Sequence, residues 1–144
     1  MAKEPMDRDA VVDGLRRAIP LQLRSAITHT VAAGSLVGIP YVVLAPVLWG
    51  GAQDDLEDAR RLVEKLVTLG GSFVEGAAGV ELATDPPQII DQLVELERET
   101  IEALQDIIPA TGQGGESEAL EHRLEHMIMR KQEHVDTLLR ARAA

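Results

Sequence analysis

Residues 54–71 read DDLEDARRLVEKLVTLGG, and their periodicity decides the fold. Leu56, Ala59, Leu62, Val63 and Leu66 recur three and four positions apart, so a helix gathers them into one stripe and turns the intervening charges away from it. Gly70-Gly71 is a helix stop. Working backwards, Leu48 continues the stripe and extends the helix to 42–69. A first helix is predicted over 9–37, with Val12, Leu15, Ile19, Leu23, Ala26, Ala33 and Val37 inward. Pro20 lies within it and should bend it by removing one hydrogen bond. The third helix is predicted over 87–108, introduced by Asp85-Pro86-Pro87 and ended by Pro109. The fourth runs over 118–142 with Leu120, Leu124, Met127, Ile128, Val135 and Leu138 on one face. No segment alternates with the period of two that a strand requires.

The links set the topology. Short connections make antiparallel neighbours of helices one and two, and of three and four. The Gly/Ala-rich link at 72–86 has no periodicity and is long enough to return along the bundle. The expectation is an all-α antiparallel four-helix bundle with a long crossover between helices two and three. Residues 1–8 are expected as a flexible N-terminus and 9–142 as the bundle.

Composition narrows the function. The chain of 144 residues carries a net charge of −10, from 24 acidic and 14 basic residues, which opposes binding to phosphate backbones. Tyr41, Trp49 and Phe73 are its only aromatics, too few for a base-stacking platform. There is no cysteine, which excludes disulfides and thiolate chemistry. The opening MAKEPMDRD has no apolar run behind it and does not read as a secretory signal. Thr30 to Gln53 carries no charge, but Gly34, Gly38, Pro40, Pro46, Gly50 and Gly51 suit a turn between two apolar helix ends better than a membrane span. A cytoplasmic protein is expected. No phosphate-binding loop, nucleophile elbow, HExxH or dinucleotide fingerprint occurs.

Polar residues interrupt the apolar stripes near the middle of each helix: Gln22, with His29 two turns on; Asp55 and Asp58; Glu97; Lys131 and His134. In an antiparallel bundle the middles meet, so these groups should form one layer. Buried charges must there pair, bind metal or shift their pKa.

The order and spacing of four stretches make the chain similar to the ferritin-like superfamily of bacterioferritin and rubrerythrin type. LQLRSAITHTVAAG at 21–34 resembles its first helix, residues 54–71 its second, ELERETIEAL at 95–104 its third and RKQEHVDTLL at 130–139 its fourth. Such proteins hold two iron ions with one Glu from each of two helices and a Glu-x-x-His from each of the other two. The resemblance carries the first Glu onto Gln22, the first pair onto Asp55 and Asp58, the lone Glu onto Glu97 and the last pair onto Lys131 and His134. Glu97 and His134 alone keep the family residue. An ammonium at position 131 repels a cation and cannot ligate unless deprotonated.

The favoured expectation is therefore a metal-free polar core in which Lys131 pairs with Glu97 and Asp55, in a non-catalytic structural or interaction protein. The alternative is an iron- or manganese-binding oxidase with one ion on Asp55, Asp58, Glu97 and His134. A shifted register would instead use Glu95, Glu99 or Glu133. His122 and His126, four apart, could chelate zinc but read more simply as surface. The apolar segment 31–49 is expected to form a homodimer, small-oligomer or partner surface anchored by Tyr41 and Trp49.

Overall fold

The computed structural model describes residues 4–143. Its elements are α1 (Arg8–Ser35), a single turn α2 (Ile39–Val42), α3 (Ala45–Thr68), α4 (Pro86–Gln105), a 3-10 turn (Ile108–Ala110) and α5 (Gly115–Arg142). The four long helices form a bundle. α1 packs closely on α3 and α4, and α4 on α5, while the backbones of α3 and α5 stay apart. Among the described residues no helix is long and apolar enough to cross a membrane.

Local chemistry sets the ends. Asp7 caps α1 by accepting from the Ala10 N–H at 3.1 Å. Beyond the end of α3 at Thr68, Gly70 has a φ of 89°, which suits a residue without Cβ. The Gly71 N–H then donates to the Leu66 carbonyl and the Gly70 N–H to that of Val67, closing the last turn. Pro40, Pro46 and Pro86-Pro87 lie in first helical turns, where a missing N–H costs nothing. The predicted second helix thus begins three residues late: the single turn α2 ends at Val42, where the helix was expected to start, and α3 starts at Ala45.

The core has two apolar halves. One joins Val11, Leu15 and Ile19 of α1 to Leu62 and Leu66, Leu104 and Ile107, and Leu120, Leu124 and Met127. The other joins Ala32 and Leu36 to Leu48, Ile89, Ile90 and Leu93, and Val135 and Leu138. Each fully buried Leu or Ile contributes ~1.5–3 kcal/mol. The first half takes the start of α1, the ends of α3 and α4 and the start of α5. So α1 and α5 run one way and α3 and α4 the other. A parallel α3–α4 pair demands the long crossover, which therefore returns along the bundle. Phe73 packs on the first apolar half and Ala83 on the second. On the way the Ala78 N–H donates to the Pro20 carbonyl at 3.0 Å, and the Ala83 N–H to Gln92 at 2.6 Å.

Several expected core positions move. The buried stripe of α1 is Val11, Leu15, Ala18, Ile19, Gln22, Ser25, Ala26, His29 and Ala32. Val12, Leu23 and Ala33 are half-buried and Val37 is exposed. On α3, Leu56 is 52% exposed because its neighbour Asp55 takes the inward position. Part of the expected flexible N-terminus, residues 1–3, lies outside the described residues. Residues 4–7 are hydrogen-bonded to the loop before α5, through Glu4 with Gln113 and Asp7 with Ala110.

Candidate functional site

Between the two apolar halves lies a polar layer drawn from all four long helices. α1 supplies Gln22, Ser25 and His29, which share a face because they are three and four residues apart. α3 supplies Asp55, α4 Glu97 and α5 Lys131, each less than a tenth exposed. Lys131 is at the centre. Its Nζ donates to Asp55 Oδ1 at 3.0 Å, to Glu97 Oε1 and Oε2 at 3.3 and 3.5 Å, and reaches Ser25 Oγ at 3.5 Å. Ser25 Oγ lies 2.6 Å from Asp55 Oδ2 and also meets Glu97 Oε1. Gln22 Nε2 donates to the carbonyl and to Oδ1 of Asp55, both at 3.2 Å.

Burial opposes every charge here, so the direction of each pKa shows which force prevails. Burial pulls Lys131 down, but Glu97 and Asp55 more than offset it, and the ammonium is held above its usual value. Burial pushes Glu97 up, yet Lys131, the two histidines and the Ser25 hydroxyl bring it below the usual carboxylate value. The layer therefore holds a lysine ammonium and a Glu97 carboxylate, each stabilised by the other.

Beside this cluster two imidazoles meet head-on, His29 Nε2 and His134 Nε2 at 2.7 Å. The His29 Nδ1 contacts the Ser25 carbonyl at 2.7 Å. A carbonyl can only accept, so this nitrogen carries a proton. In the neutral ring Nε2 then offers its lone pair to the N–H of His134. Burial, with the proximity of His29, lowers the His134 pKa to about 4, so it is neutral at physiological pH.

Asp58 lies apart from this arrangement. It is buried, but its carboxylate is taken by Arg130 of α5. Burial raises its pKa even so, against the pull of Arg130. Asp58, Arg130, Lys131, Glu97 and His134 line a cleft of about 390 Å³ where α3 and α5 separate, so the layer is reachable from outside.

The layer thus unites Gln22, Asp55, Glu97 and Lys131, with His134 at its edge and Asp58 turned to Arg130. Ser25 and His29 complete it and were absent from the ligand set expected from sequence. His29 already stood out as a polar residue on an apolar stripe. Ser25 carries no such signal, since a lone serine is common anywhere on a helix. Glu95, Glu99 and Glu133 are exposed and lie outside the buried layer, with Glu133 on the lining of the cleft beside it. His122 and His126 are exposed on α5, and His122 lies 3.6 Å from Glu118. Among the described residues, the group of three potential metal donors is His29, Asp55 and Glu97, each offering an atom within 4.8 Å of the others.

Comparison with known proteins agrees with this architecture. The sequence pattern of the ferritin-like domain matches residues 12–141. A search of curated proteins finds no match. Among solved structures, the chain is similar to a ferritin-like, diiron-carboxylate protein from Bacillus anthracis, at 25% identity and a TM-score of 0.85, covering 93% of this chain and 96% of that one. It is similar to the dodecameric thioferritin of Bacteroides fragilis, a bacterioferritin-related protein, at 18% identity and 0.82, covering 94% and 86%. For a bacterioferritin of Desulfovibrio desulfuricans with a diiron site, the values are 21% and 0.80, covering 94% and 80%.

Proposed function

The chain belongs to the ferritin-like domain family, and on that premise we propose that its metal centre is replaced by a fixed internal ion-pair cluster, leaving a structural or interaction protein. The observation that carries this reading is the Lys131 ammonium seated between Asp55 and Glu97.

Charge arithmetic supports it. The ferritin-type site brings four Glu carboxylates to two divalent ions. The corresponding positions here are Gln22, Asp55, Glu97 and Lys131, which amount to two carboxylates and a cation. Asp58 adds no free carboxylate because Arg130 occupies it. These residues do not fit a two-ion centre, and no di-iron chemistry is assigned to them. Metal analysis of protein purified without chelator is expected to find less than about 0.1 equivalent of iron or manganese. Close to two equivalents would overturn the reading.

One observation favours a second reading, a single iron or manganese ion. His29, Asp55 and Glu97 form a compact set of nitrogen and oxygen donors. In the native chain such an ion competes with a lysine whose proton is held more tightly than usual. About one equivalent, lost in Glu97→Ala, would establish this reading over the first.

The interaction role rests on the end of the bundle formed by segment 31–49. Val37, Ile39, Val43, Val47 and Trp49 are exposed there, whereas Tyr41 folds inward against the second apolar half. Contiguous exposed apolar surface marks contact sites. The proposed partner is a second copy of the chain, in a cytoplasmic homodimer or small oligomer. Light scattering should give a mass above the monomer that falls to it in Trp49→Glu. A monomer in both would remove the proposal.

A further inference from the structure

We infer that the outer ridge of α5 binds one zinc-class divalent ion on His122 and His126 with Glu118, at a distance from the polar layer and independently of it. Imidazole nitrogens with a carboxylate oxygen suit zinc(II), nickel(II) or copper(II) rather than a hard ion such as magnesium.

Helical spacing brings the donors together. Residues four apart are neighbours on one face, so Glu118, His122 and His126 form a ladder along α5. His122 is two residues from each of the buried Leu120 and Leu124, about 200° around the helix, so the ladder points away from the core. All three residues are exposed. Two imidazoles four apart are the means by which a helix offers two ligands to one zinc ion. The first rung is already set, with His122 Nε2 3.6 Å from Glu118 Oε2. Two ligands about 2.0–2.2 Å from a tetrahedral ion stand roughly 3.4 Å apart, so an ion fits between them with little movement. A rotamer change at the exposed His126, one turn on, completes the set.

The surroundings favour a cation. Glu116 is taken by Arg8 and Lys65, but Glu121 and Glu125 stand next to the two histidines in the chain and add negative charge beside the ladder. The start of α5 also gains most from a clip. It opens at Gly114 with no side-chain cap, whereas Asp7 fastens the first turn of α1. An ion spanning 118–126 would tie successive turns of that weakly fastened end together.

The test titrates zinc into the untagged, chelator-stripped chain by calorimetry, following the histidine ring signals by NMR and the thermal midpoint by circular dichroism. Wild type should bind one equivalent and gain midpoint when loaded. The His122 and His126 signals should move, and those of His29 and His134 should stay in place. His122→Ala and His126→Ala should each weaken binding at least about tenfold, and the double variant should lose the midpoint gain. Glu118→Gln should weaken it by a smaller factor. These side chains are exposed, so the variants keep the fold. The inference is overturned if wild type binds no more tightly than the double variant, if any of the three single variants binds as tightly as wild type, or if zinc moves the His29 and His134 signals instead.

Discussion

Arg130 and Lys131 are adjacent on α5, and each meets a buried aspartate of α3, Asp58 and Asp55. The Arg130 side chain is 33% exposed at the rim of the cleft, and its Nε has no partner. The Lys131 side chain is 4% exposed and has two carboxylates and a hydroxyl around it. The carboxylates respond oppositely. Glu97, beside Lys131, is held below its usual pKa, whereas burial lifts Asp58 despite its arginine. Burial alone therefore does not decide whether a charge is tolerated. The number of compensating groups around it does.

The largest break in that comparison is Lys131→Ala. In chelator, the loss of the ammonium leaves Asp55 and Glu97 facing one another, and urea unfolding should show a loss of ~3–5 kcal/mol. Neutralising the carboxylates as well, in Lys131→Met/Asp55→Asn/Glu97→Gln, should recover most of it. A triple variant as weak as the single one would show that packing sets the cost.

Acid is the next lever. His134 has a folded pKa of about 4 against an ordinary value of 6.5. The unfolded chain therefore takes up a proton first as pH falls, and stability is lost between pH 6.5 and about 4, by roughly 3 kcal/mol. Glu97 loses its contribution as pH falls below 4.5 through its lowered folded pKa. Lys131 loses its own as pH rises above 10.5 through its raised one. These three groups together predict a stability plateau between pH 6.5 and 10.5. His134→Gln should flatten the slope on the acid side, and an unchanged slope would assign it elsewhere.

Smaller effects sharpen the contrast. Glu97→Gln should cost about 2 kcal/mol, since a charged hydrogen bond to Lys131 becomes a neutral one. Asp58→Asn should cost less than Glu97→Gln, because burial already disfavours the Asp58 charge. Equal losses in the two variants would mean that the rim pair and the central cluster are held alike.

Much of this was legible beforehand. Four helices, their approximate ends and the crossover follow from periodicity and from Gly and Pro, which act locally. Gln22, Asp55, Glu97 and Lys131 stood out because polar residues broke apolar stripes. Leu56 misled for the opposite reason. It and Asp55 compete for one inward direction, and hydrophobicity favours leucine until Lys131 arrives from another helix. Asp58 was placed in the layer by spacing along α3, but its partner is Arg130, which no pattern within α3 reveals. Ser25 was invisible, since its role depends on two carboxylates brought to it by other helices.

The sequence by itself determined the helices, their order and the mid-bundle level at which charge is buried, because periodicity and turn chemistry are properties of neighbouring residues. The tertiary structure alone decided which charges meet. It seated the Lys131 ammonium between Asp55 and Glu97, set His29 against His134 and turned Asp58 to Arg130, because compensation of a buried charge depends on distances between helices.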